Sequence, residues 1–403
     1  MLGRFFFIAA LLCATPAIPA PVESCNQSAG AILHVPLQAH PFGVLAAPDG
    51  CTIFVSMIGE PRQSPSGIGI FKRAGGKVTP TRFLPDNDAP LGMVLTHDGK
   101  LLIIANNTNV VFLDVAKAIS GETNPVVGTF SEPGRENPNS TYINVTADDR
   151  FVFVADEGVR TISVIDLEKA RASNFGPDAF VGKIPVGNAP IGLSFSPDER
   201  LLYTTSQGAP IGLGWPRICK PEGQDPKTAR PENPEGAVIV IDVERAKQDP
   251  EHAVLGTIPA GCSPVRLVLS PRGNRAYVTA RNDNALIVFD TAKLLGDPLH
   301  ARIASIPVGT APVGVALADN GRKAFVANSN RFFARPNESQ TLSVIDTTRL
   351  QEGSRAVLGT IPAGSFPREL SVTKDGRTLL VTNFSSNTLE LVDLDHLPLQ
   401  RAQ

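Results

Sequence analysis

One unit of sequence recurs seven times along this 403-residue chain, and that recurrence constrains the fold more than any other feature. In its clearest copy, Ala311-Pro312-Val313-Gly314-Val315-Ala316-Leu317-Ala318 passes through Asp319-Asn320-Gly321 into Lys323-Ala324-Phe325-Val326-Ala327-Asn328. A loop then leads to Thr341-Leu342-Ser343-Val344-Ile345-Asp346 and on to Gly359-Thr360-Ile361-Pro362-Ala363-Gly364. Two apolar segments flanking Asn-Gly predict a hairpin of strands a and b with a primed turn, because such dipeptides accept positive φ. Strand c closes on Asp, and strand d closes on Pro-x-Gly.

Strand a opens near Pro41, Pro90, Ser140, Pro190, Pro264, Pro312 and Pro367. Strand c ends at Asp114, Asp166, Asp242, Asp290, Asp346 and Asp393, and the first copy departs with Phe71-Lys72. Seven copies of four antiparallel strands predict an all-β seven-bladed propeller. After Asp393 too little chain remains for a fourth strand. Ala31-Ile32-Leu33-His34-Val35-Pro36-Leu37 matches the strand-d pattern instead. The N-terminal strand is therefore expected to complete the last blade and leave no free inner edge. The domain reading is a signal peptide over 1–17, a tail over 18–30 and a single propeller over 31–403.

The signal reading rests on Arg4 followed by the apolar run from Phe5 to Ala14, then small residues and prolines, with cleavage between about Ala17 and Ala20. Export to the periplasm or the outside would leave Cys25, Cys51, Cys219 and Cys262 in an oxidising compartment. Propeller connectivity sorts these by face. Cys25 precedes the closing strand and Cys51 follows the first a–b turn; Cys219 lies in a b–c loop and Cys262 in a d–a loop. The expected bridges are Cys25–Cys51 and Cys219–Cys262. Asn26, Asn106, Asn139, Asn144, Asn337 and Asn383 stand in glycosylation sequons.

Strand b as Tyr277-Val278-Thr279-Ala280, strand c as Val344-Ile345-Asp346 and strand d as Ile306-Pro307-Val308-Gly309 resemble YVTN-type propeller repeats, in the lactonase-like superfamily. The resemblance spans roughly Ile32 to Asp393 and implies the same seven-bladed fold. Similar propellers include lactonases and cycloisomerases, which that resemblance adds as a functional alternative.

Composition narrows the chemistry. A formal charge of −2 and 6% aromatic residues argue against nucleic-acid binding. No haem-attachment motif occurs, Trp215 is the sole tryptophan, and six histidines are scattered without ligand spacing. No metal, cofactor or membrane span is expected, and the chain reads as a monomer. The repeated Asp residues that end strand c precede short Ala/Lys/Arg-rich stretches, where an Asp caps the first helical turn.

Function is sought where the repeats differ. Insertions near 58–66, 207–235 and 329–340 all fall in b–c loops, so they gather on the face that also carries the d–a loops. Residues ending strand b or following it supply Asp156, Glu157, Arg281 and Asn328. Near the start of strand a, where other copies carry Gly, three carry Tyr142, Arg266 and Glu369. These seven are the candidate ligand-binding residues, with Arg to clamp an anion and Glu as a potential base. The leading expectation is an exported propeller that binds a small molecule or protein on this face without turnover. The alternative is a lactonase- or cycloisomerase-like enzyme acting in the central channel.

Overall fold

A computed structural model describes Cys25 and residues 30–134, 136–209, 218–224, 227–332 and 338–400. The expected signal segment, most of the expected tail, Asn26, Trp215 and Asn337 lie outside the described residues.

Seven four-stranded antiparallel sheets follow one another around a ring, with strands in the order a, b, c, d in the first six. Blade one comprises His40–Ala46, Thr52–Ile58, Ser66–Ala74 and Lys77–Asp86. Strand a of blade two is only Met93–Leu95. Blade three runs from Ser140–Val145 through Phe151–Asp156 and Thr161–Asp166 to Phe180–Pro185. Strands Asn188–Phe195, Leu201–Gly208, Ala237–Asp242 and Val254–Pro259 form blade four, and its b–c insertion folds a small ribbon from Ile218–Cys219 and Asn233–Pro234. Blade five starts at Pro264–Leu269 and blade six at Pro312–Ala318.

Blade seven consists of Pro367–Val372, Thr378–Asn383 and Thr388–Asp393, and its outer strand is Ile32–Pro36 from the chain's beginning. That strand pairs antiparallel with strand c from Ile32 opposite Val392 to Pro36 opposite Thr388. The ring closes as the repeat pattern requires, so strand c of blade seven is not left as a sheet edge.

Core residues lie between blades. Phe112 and Phe130 of blade two pack against Val154 and Ile165 of blade three, all essentially inaccessible. Strand-b hydroxyls add a polar link across the same interfaces. Thr279 Oγ1 accepts from the Arg266 amide at 3.1 Å and donates to the Val313 carbonyl of the next blade at 2.8 Å. Ser56, Thr205 and Thr382 do the same toward Leu91, Val265 and Phe42.

The strand-c aspartates are caps. Asp114, Asp166 and Asp242 each accept the backbone N–H of the residue three positions on, at 2.9–3.0 Å. The a–b turns differ from the expected primed type in six blades. A primed turn, with Asp319 at φ 54° and Asn320 at φ 52°, occurs in blade six. Elsewhere the left-handed residue is the fourth of the turn, as in Gly99 at φ 69°, whose N–H reaches the Thr96 carbonyl. In four of these blades the reason is side-chain bonding: Thr96 donates to Asp98 at 2.7 Å, which also accepts the Lys100 N–H, and this fixes an Asx geometry. Thr146–Asp148, Ser196–Asp198 and Thr373–Asp375 repeat the arrangement.

Both expected disulfides are present, Cys25–Cys51 and Cys219–Cys262. They are consistent with an oxidising environment. Among the described residues no helix is long and apolar enough to cross a membrane.

Candidate functional site

The channel is shaped by a bulge near the start of strand a. In blades one, four, five, six and seven the a–b register slips across the two residues after the opening proline. A bulge releases side chains from the ladder and re-aims them. The second bulge residue is Gly43, Gly92, Gly192 or Gly314 in four blades, and a Cβ there would meet the next blade: 2.7 Å from the Leu91 carbonyl at Gly43, 2.5 Å from the Arg368 carbonyl at Gly314. Blades three, five and seven carry Tyr142, Arg266 and Glu369 instead. Glycine blades separate them around the ring, so three long side chains share the channel.

They meet there. Arg266 Nη2 lies 2.7 Å from Glu369 Oε2, with both residues buried. Its guanidinium stacks over the Tyr142 ring, 4.3 Å from the centroid, and the Tyr142 hydroxyl is 3.5 Å from Glu369 Oε1. Burial works against the Arg266 cation, but Glu369 and Tyr142 outweigh it and raise the pKa. Burial and the Glu369 charge push the Tyr142 phenol upward. Among the described residues Arg266 Nε has no hydrogen-bond partner.

Further charged side chains lie at the mouth. Arg281 is held by Glu222 of the blade-four insertion, Nε to Oε1 at 2.6 Å, and also donates to Gln207. The insertion is anchored beside it by Cys219–Cys262. Glu157 receives the side-chain amides of Asn139 at 3.2 Å and Gln207 at 3.4 Å. A cavity of about 500 Å³ opens under the insertion, lined in part by Arg160, Asn188, Gln207, Lys220 and Glu222.

Arg331 and Arg368 complete the cluster, although neither is among the seven candidate residues. Arg368 occupies the first bulge position, which is Phe42, Leu91, Ile191, Val265 or Val313 in five other blades. Its guanidinium lies 3.8 Å from the Phe42 centroid and under 6 Å from Phe366 and Phe384. Phe384 stacks on His40 at 4.8 Å, and His40 Nε2 lies 2.9 Å from Glu60. Phe366 precedes Pro367 with φ at 56°, a conformation that bulky residues rarely adopt, and this turns its ring toward both Arg331 and Arg368.

Asp156 and Asn328 lie within their blades instead of on this ring, because alternate residues of a strand face opposite ways and each is turned inward. Asn328 accepts the Gly309 N–H at 3.0 Å and donates to Thr341 and Ser343. Asp156 is inaccessible, accepts from Ser140 at 2.6 Å and faces Glu132, which Lys183 approaches at 2.8 Å. Of the sequons, Asn106 and Asn383 are buried with their amide nitrogens hydrogen-bonded, whereas Asn139 and Asn144 are half-buried. Among the described residues no group of three or more His, Cys, Asp or Glu side chains is arranged to hold a metal.

A family profile described as "Lactonase, 7-bladed beta-propeller" matches residues 235–397, the later blades of this ring. The chain is a seven-bladed propeller whose later blades are similar to that family. No curated protein matches it. Among solved structures, the propeller is similar to one titled Kuenenia stuttgartiensis hydrazine synthase, at 17% identity and TM-score 0.63, covering 89% of this chain and 96% of that one. It is also similar to a chain of a mitotic checkpoint complex, at 12% identity and TM-score 0.63, covering 96% and 99%. At such identities the likeness of this propeller to both is one of fold.

Proposed function

We propose that this protein binds a ligand on the face carrying the d–a and b–c loops, in the channel mouth around Tyr142, Arg266 and Glu369, without turnover. The observation that carries the reading is the convergence of those three side chains from alternate blades, where the repeat otherwise places glycine. Glycine there packs blades closely; replacing it in three blades opens the channel to side chains whose chemistry is recognition. Engagement of Glu369 by Arg266 at 2.7 Å favours a binding role, since the carboxylate is already occupied. The ligand is a small molecule or a segment of a protein partner. The N-terminal apolar run and two disulfides support an exported location, periplasmic or secreted.

A second reading, lactone hydrolysis or cycloisomerisation, draws on the same pair, with Arg266 polarising a carboxylate or lactone carbonyl and Glu369 acting as base once ligand displaces it. A thermal-shift screen of the protein against lactones, sugar acids and uncharged sugars, with each hit assayed for consumption, separates the two. Stabilisation without turnover is expected. The double variant Arg266→Ala, Glu369→Ala should remain folded and lose the stabilisation; unchanged binding would remove this site from consideration.

A further inference from the structure

Four guanidinium groups at the mouth, those of Arg266, Arg281, Arg331 and Arg368, are unevenly matched. Arg266 is paired with Glu369 and Arg281 with Glu222. Glu157, the remaining carboxylate among these residues, is engaged by two amides. Arg331 and Arg368 form no ion pair among the described residues, and Arg368 Nε has no hydrogen-bond partner although it is cut off from solvent. Burial, followed by the like charges of Arg266 and Arg331, pushes the Arg368 pKa well down. Stacking on Phe42 offsets part of this, because a ring face attracts a cation, by about 0.5–2 kcal/mol. It does not satisfy the Nε–H group.

A half-buried cation with its Nε shut off from solvent, facing other cations, is an unfavourable arrangement for the empty molecule. The repeat provides the obvious alternative, since five other blades place an apolar side chain at this position, and the surroundings of Arg368 are already phenylalanines. Retaining Arg here makes sense for a group that is completed from outside. A guanidinium presents a rigid fork of donors that matches the oxygens of carboxylate or phosphate.

Building on the ligand-binding reading above, we infer that Arg368 is the anion clamp of the channel mouth: it takes the oxyanion of a small ligand, carboxylate or phosphate monoester, whose flat apolar body rests against Phe366 and Phe384. Arg331, which shares the Phe366 ring with Arg368, adds a second positive charge from the blade-six loop. Phe332, 39% exposed and lying between Arg331 and Arg281, extends the aromatic surface outward.

The test is calorimetric titration of the full chain with benzoate, phenyl phosphate and uncharged benzamide. At least one of the two anions should bind about tenfold or more tightly than benzamide. Preference for benzoate identifies a carboxylate ligand, and preference for phenyl phosphate a phosphate ester; either supports the clamp. Arg368→Gln should erase the preference. In the absence of ligand it should also melt at a higher temperature than the parent, the reverse of what loss of a merely structural arginine would do. Arg368→Lys keeps the charge without the fork, so it should weaken the anion while retaining some preference over benzamide. Equal binding of anion and amide, no anion binding, or a preference that survives Arg368→Gln each overturns the inference. If uncharged ligands from the wider screen still bind, and do so through Arg266 and Glu369, the clamp falls while the ligand-binding face stands.

Discussion

Thr279 holds blade five to blade six with one oxygen. Its hydroxyl accepts the Arg266 N–H and donates to the Val313 carbonyl, in a buried setting without room for substitute partners. Thr279→Val preserves shape and removes both bonds, leaving a buried donor and acceptor unsatisfied at about 1–3 kcal/mol. Urea denaturation should show a lowered midpoint with an unchanged slope, and a loss under about 0.5 kcal/mol would contradict this account of the interface. At this scale the sequence is only partly legible. Comparing the second bulge position across repeats picks out Tyr142, Arg266 and Glu369, because a non-glycine residue there has nowhere to go but the channel. The first position carries the same kind of signal, a cation among apolar residues, and it marks Arg368. Asp156 and Asn328 misdirect, since ending a strand beside the mouth says nothing about which way a side chain faces. Their neighbours one residue on, Glu157 and Ser329, follow the opposite alternation, and Glu157 is the one at the mouth.

Single blades can be compared as internal experiments. Asn328 opposes Thr341 in blade six as Asp156 opposes Thr161 in blade three, with Ser343 and Ser163 in equivalent register. In blade six the Asn328 amide donates to both hydroxyls and accepts a backbone N–H, so every group is satisfied. Blade three has a carboxyl in that place with Glu132 against it, and among the described residues Asp156 Oδ2 and Thr161 Oγ1 lack hydrogen-bond partners. Burial, reinforced by Glu132, raises the Asp156 pKa well above the ordinary carboxylate value of 3.8, whereas Ser140 and Ser163 pull it back. A carboxyl with a raised folded pKa contributes stability that is complete below its unfolded pKa and is lost as pH rises through the folded value. Stability should therefore decline from weakly acidic pH upward, and Asp156→Asn should flatten that decline by installing the blade-six arrangement. Denaturation midpoints for both proteins from pH 4 to pH 9 decide the matter; parallel profiles would place the pH dependence elsewhere. The a–b turns teach a related lesson. Turn-forming pairs mark where each hairpin reverses, but in blades two, three, four and seven a Thr or Ser two residues before the Asp selects the Asx form through its hydroxyl bond.

Across the whole molecule, stability depends on closing a ring whose last blade borrows its outer strand from the other end of the chain. Connectivity makes this legible, because four-strand repeats that begin in mid-blade leave one strand over at the start and one missing at the end. Which side chains project into the channel is less legible, since it depends on bulges that no periodicity records. The closing strand is short, and Val35 is its one fully buried residue, packed among Val55, Leu389 and Leu391. Cys25–Cys51 ties the segment before it to blade one, whereas strand Ile32–Pro36 itself belongs to blade seven, so the bridge spans the seam of the ring. Cys219–Cys262 instead fastens an insertion on the opposite face, where Glu222 neutralises Arg281. The two bridges should consequently fail differently. Cys25→Ser with Cys51→Ser should lower global stability by about 2–4 kcal/mol and speed hydrogen exchange first in Ile32–Pro36 and Thr388–Asp393. Cys219→Ser with Cys262→Ser should loosen the insertion and weaken ligand binding at the mouth, with exchange in blade seven unchanged. Seam exchange that rises equally in both variants would mean that the ring opens as a single unit and that the seam has no separate weakness.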